Sequence, residues 1–133
     1  MKLLSGLIIE SLWPLVVKEG VVYRTPDDEK GAEFTVKESD EFWIRIETTG
    51  NSLITIQRDS FVAAIRYLML HGHLGEDKSS PIGASIDNPG PLDLETRGPS
   101  GGTMVIPYIL PLLANLGVVG IDGSRPNKTW LNL

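Results

Sequence analysis

The residues of this chain best suited to hold anions lie near its end. Arg125, Asn127 and Lys128 follow the turn sequence Asp122-Gly123-Ser124 and stand beside Trp130. Two cations and an amide at one tip can contact phosphate oxygens, and Arg97 and Arg45 are further candidates for such contacts. His71-Gly72-His73, followed by Glu76 and Asp77, is the other cluster with ligand chemistry. An H-x-H pair needs extended backbone to aim both rings at one zinc ion, and a third ligand would have to come from a loop. The favoured reading is a polar helix end, where histidine also meets the helix dipole, and no metal site is expected.

Seventeen acids allow paired-carboxylate chemistry, but none sits in a nucleophile elbow or a metalloprotease helix. Gly98-Pro99-Ser100-Gly101-Gly102-Thr103 precedes a helical pattern, and glycine-rich turns there can hold phosphate through backbone amides. It lacks the lysine and the strand of a P-loop, so a flexible lead-in is preferred. The sequence leans away from catalysis and implies no cofactor.

These residues must be positioned by a small fold. The 133 residues, 41% hydrophobic and 22% charged, suit one globular domain over 1–133 with a real core. There is no cysteine, which removes disulfides and thiolate sites and fits a reducing compartment. A net charge of −5 argues against the domain-wide basic footprint of most nucleic-acid binders, while leaving room for a local patch. Acids gather in Asp27-Asp28-Glu29, in Glu38 to Glu41 and in Glu76-Asp77, where solvated loops are expected. The apolar start, Leu3 to Ile9, is interrupted by Glu10 and lacks a small-x-small cleavage site, so it reads as mature structure. No run approaches the ~18 apolar residues of a membrane span, and a cytoplasmic protein with no membrane partner is expected.

A helix is predicted over Ser5 to Lys18, with Ser5 as its cap, Ile8, Leu12, Leu15 and Val16 on one face, and a disturbance at Pro14. Val21 to Arg24 reads as a short strand. Glu33 to Lys37, Phe42 to Glu47 and Ser52 to Ile56 alternate as a three-stranded meander, with Phe42, Ile44 and Ile46 facing the core. Trp43 and Arg45 fall on the opposite face, where a partly exposed Trp43 would mark a contact surface. Phe61, Val62, Ile65, Leu68 and Met69 form a stripe on a helix from about Arg58 to Leu70 that covers the meander. Glycine and proline then dominate, and a long flexible loop at about 74–101 is expected, either a functional lid or binding loop or a disordered segment.

The helix after it, Met104 to Leu116, carries Pro107 and Pro111 and ends at Gly117. A strand from Val118, the basic turn and a strand ending at Leu133 follow. This helix and terminal hairpin resemble the closing element of a winged helix, a comparison that covers roughly the last thirty residues. The resemblance implies a basic tip lying along nucleic acid with the preceding helix in the major groove. That helix holds no Arg, Lys or Gln, so base reading by it is not expected; an alternative has the hairpin simply closing a sheet with Trp130, Leu131 and Leu133 packed inward. The fold class expected is α+β: amino-terminal helix, meander with its helix, long loop, then helix and hairpin. Two functions follow. One is a non-catalytic module contacting nucleic-acid backbone through Arg125, Asn127, Lys128, Arg97 and Arg45, within a DNA-processing or regulatory system. The other is an acidic module that binds or inhibits a basic protein partner.

Overall fold

A computed structural model describes residues 2–132 of the chain. Helix α1 (Lys2–Val16) leads into strands β1 (Val22–Arg24), β2 (Glu33–Ser39), β3 (Trp43–Thr48) and β4 (Leu53–Gln57), which pair antiparallel in chain order. The expected meander therefore gains a fourth strand, because Tyr23 lies opposite Phe34 and continues the apolar row of Phe34, Val36, Ile44, Ile46 and Ile56. The other face of this sheet, including Trp43, Arg45 and Thr55, is partly open to solvent. Phe42 does not join the core as expected: it precedes β3, is 57% exposed, and has the Arg58 guanidinium 5.6 Å from its ring. Alternation predicts a face only within a strand, and this strand begins one residue later.

Helix α2 (Arg58–Leu70) starts where β4 ends, over the predicted residues. It buries Phe61, Ile65 and Leu68 as expected, together with Ala63 and Ala64. The α1 helix packs on it by a face rotated from the expected one. Ser5, Ile9, Trp13 and Val16 are buried, whereas Leu15 is 52% exposed, and Ser5 lies inside the helix rather than capping it. Trp13 decides this orientation, since its ring meets Phe61 edge-on at 5.3 Å and its Nε1 donates to Asp40 O at 2.8 Å. The expected disturbance at Pro14 falls in the last turn, and α1 runs as one helix.

The stretch expected as a long loop carries structure. It contains a 3-10 turn at Glu76–Lys78, strand β5 (Ser80–Pro81), helix α3 (Pro91–Arg97) and a 3-10 turn at Gly98–Ser100. Pro91 fits the first turn of α3, which buries Leu92, Asp93 and Thr96. A seven-residue helix is too short to show a periodic pattern among so many glycines and prolines. Glycine has a specific use before it. Gly90 N–H bonds Gly83 O at 2.9 Å, and a Cβ on Gly83 would stand 2.9 Å from Gly90 Cα, so the two backbones touch where the loop closes.

Helix α4 (Ile106–Asn115) has Pro107 in its first turn and Pro111 inside, and Gly117, at φ 77°, terminates it. Strands β6 (Val119–Asp122) and β7 (Lys128–Leu131) form the expected hairpin, and β7 also pairs with β5, giving a second sheet of order β5-β7-β6. Of the residues suggested to pack inward, Leu131 does so beside Thr129; Trp130 points the other way, partly buried over Gly120, and Leu133 lies outside the described residues. A Cβ on Gly120 would overlap the Trp130 indole. The buried apolar residues of both sheets and of α1, α2, α3 and α4 belong to one cluster.

Candidate functional site

The hairpin tip, residues 123–127, is braced from within and docked from outside. Asp122 accepts from the Ser124 hydroxyl at 2.5 Å and the Ser124 N–H at 3.0 Å; these bonds, with a lesser contribution from Lys128, hold its carboxyl below the usual carboxylate range. Asn127 donates its side-chain amide to Gly123 O at 2.8 Å, so it stabilises the turn. Arg125 reaches the β1–β2 loop, where Nη2 donates to Asp27 at 2.9 Å and Nε lies 3.5 Å from Glu29. Asp27 also accepts the N–H groups of Lys30 and Glu29, and these bonds lower its pKa first, Arg125 adding to them. Asp28 N–H bonds Gly123 O at 3.0 Å. A Cβ on Gly123 would run into Asp28 and Pro26, so glycine permits the docking. Lys128 is exposed at the start of β7.

The structure thus brings Arg125, Asn127 and Lys128 together and leaves Arg97 and Arg45 on other elements. Arg97 ends α3 with Nε 2.7 Å and Nη2 2.9 Å from the fully buried carboxylate of Asp93, and Nη2 also bonds Ser85 O. Asp93 raises the Arg97 pKa, chiefly through these bonds. Arg45 stands on the open face of β3, paired with Glu38 at 2.5 Å, donating to Thr55 Oγ1 at 3.2 Å, its guanidinium 4.8 Å from the Trp43 ring centre. Each of the three arginines already has a carboxylate.

Helix α4 is enclosed. Ile106, Ile109, Leu110, Leu112 and Leu113 are at most 1% exposed, and Tyr108 meets Phe34 edge-on at 5.2 Å. Burial raises the Tyr108 pKa. Tyr108 also lines a cleft of about 280 Å³ at the base of the tip, with Thr25, Asp27, Met104 and Asn127.

A second concavity was not foreseen. Between β4 and the 3-10 turn at Gly98–Ser100 runs a groove of about 390 Å³, with Leu53, Ile54, Thr55 and Gln57 on one side and Pro99, Ser100, Gly101 and Thr103 on the other. Ser100 Oγ accepts the Gln57 N–H at 3.1 Å and lies 2.5 Å from Ser60 Oγ, which fixes the two walls. The sequence marks β4 as a strand, but which edge stays open depends on sheet order. At the end of α2, the rings of Tyr67 and His71 are 4.4 Å apart and those of His71 and His73 6.5 Å apart, while His73 Nδ1 bonds Lys78 O at 2.8 Å. Among the described residues no three metal-ligating side chains converge, and no helix is long and apolar enough to cross a membrane. Compared with protein-family models, curated proteins and solved structures, the chain matches none.

Proposed function

We propose that this chain is a non-catalytic recognition module that engages a basic protein partner. The observation behind this reading is the state of the parts that would touch DNA. From α2 onward the order is helix, strand, two helices and a hairpin, with β7 between β5 and β6, an order that supports the resemblance to a winged helix. In a DNA-reading module of that kind the helix in the place of α4 offers polar side chains to the major groove. Here α4 is buried, and Arg125 at the wing tip is engaged by Asp27 and Glu29. The surface is instead acidic, with Glu10, Asp28, Glu33, Glu41 and Glu95 exposed on a chain of net charge −5. Complementary charge steers and selects a basic partner. Parallel titrations of a fluorescent arginine-rich peptide and a fluorescent DNA duplex at low salt test this. Saturable peptide binding that weakens with salt is expected; saturation by the duplex alone overturns the reading.

A second reading, contact with nucleic-acid backbone through the hairpin, draws on the exposed Lys128 and the 44% exposure of the Arg125 side chain. Two phosphate contacts predict a salt slope of about −2, or roughly a twelvefold loss of affinity between 50 and 200 mM salt. A duplex that binds without that slope excludes it.

A further inference from the structure

We infer that the outer edge of β4 receives an extended peptide segment, which pairs with it as an added strand inside the groove walled by residues 99–103. The inference rests on the reading of the chain as a protein-recognition module and names its site. The direction of the β4 backbone follows from its bonds. Thr48 N–H donates to Ser52 O at 2.9 Å and Arg58 N–H to Phe42 O at 2.7 Å, at the two ends of the β3–β4 ladder. Bonded and non-bonded pairs alternate in an antiparallel ladder, so Ile46–Ile54 and Ile44–Ile56 are the bonded pairs between them. Glu47–Leu53, Arg45–Thr55 and Trp43–Gln57 are non-bonded, and Leu53, Thr55 and Gln57 turn their N–H and C=O groups away from β3. The bond from Gln57 N–H to Ser100 Oγ, across the groove, confirms this direction independently. Among the described residues the N–H groups of Leu53 and Thr55 have no partner.

Proteins shield open edges with charge, proline, a bulge or a covering segment. β4 reads Leu-Ile-Thr-Ile-Gln, with neither charge nor proline, and the 99–103 segment, bonded to it at Gln57 through Ser100, leaves a groove of about 390 Å³ along it. Donors and acceptors repeating every second residue, about 6.8 Å, match another strand and no small ligand. The wall selects which strand. A second copy pairing by its own β4 would bring a second wall to the same edge, whereas a single extended chain brings none. Since no lining residue is charged, the segment that fits is an uncharged, β-branched or apolar stretch of about four residues, bonded at Leu53 and Thr55 without proline at those positions.

The test is selection of phage-displayed random decapeptides on the full chain, followed by titration of the synthetic winners. Winners are expected to slow hydrogen exchange at the Leu53 and Thr55 amides at least tenfold. Thr55→Pro removes an outward N–H and no backbone bond to β3, although it also removes the bond from Arg45 Nε to Thr55 Oγ1, and is expected to weaken binding at least tenfold. Thr103→Trp fills the groove from an exposed position outside helix and strand, and is expected to abolish binding, which keeps the test decisive if the proline variant misfolds. Recovery of no peptide, or of peptides that bind both folded variants as well as wild type, overturns the inference. Salt-sensitive binding of the arginine-rich peptide, with no decapeptide recovered or with winners that ignore both variants, would show that the broader reading stands while this site falls.

Discussion

Arg97 and Arg125 look alike in the sequence: both are followed by glycine or proline, and both suit a phosphate. In the fold each meets an aspartate, with opposite consequences. The partner of Arg97 is four residues back on the same short helix and fully buried, so the pair belongs to the interior. Arg125 meets an aspartate 98 positions away, in a contact whose two side chains are 44% and 26% exposed. A cation is available for binding only when neither burial nor a distant carboxylate holds it. Local sequence reports the first of these partly and the second not at all.

The contrast can be broken by measurement. Asp93→Ala strands the Arg97 guanidinium and the Ser85 N–H, and a loss of about 3 kcal/mol in chemical denaturation is expected from opening a buried pair on one side. If the corresponding change at Asp27 destabilises as strongly, the distinction between the two aspartates collapses. Gly120→Ala asks whether the hairpin is held by packing rather than by ions. Its Cβ would meet the Trp130 indole, and about 1–3 kcal/mol of destabilisation is expected in the same assay. Arg125→Ala should leave the thermal midpoint unchanged within error, since exposed pairs are weak, while speeding hydrogen exchange at the Asp28 amide that bonds Gly123.

The smallest effect concerns pH. The folded pKa of Asp27 is lowered, so its contribution is present above the ordinary carboxylate value of 3.8 and is lost as pH falls through the lower folded value. Exchange at the Asp28 amide should therefore show no pH-linked loosening, beyond its intrinsic dependence, between pH 5 and 8 and should loosen below about pH 4. Loosening near pH 6 would mean that another group secures the tip.

Much of this fold was legible because its patterns are local. The α2 helix is bounded by its own apolar stripe, the β3 core by Ile44 and Ile46, and the end of α4 by Gly117. What escaped depended on tertiary choices. Several faces of α1 are apolar, and Trp13 selects one by finding Phe61 and Asp40. The α3 helix is stabilised by the Asp93–Arg97 pair and by Leu92 in the core, so its seven residues outrank a glycine-rich composition. The candidate site was legible only as a group of residue types. The hairpin and its cations were visible; their acidic partners in the β1–β2 loop, and the open edge of β4, were not, because both depend on which strands become neighbours.

The burial of α4 has a consequence for how the molecule comes apart. Its leucines and isoleucines join the same cluster as the inner row of the four-stranded sheet, and Tyr108 rests on Phe34. Excising residues 58–132 would strip that helix of its cover and expose a continuous apolar ridge to water, at roughly 25 cal/mol for each Å² uncovered. The two halves are therefore expected to melt in one cooperative step, and an interruption in either one to be felt across both sheets.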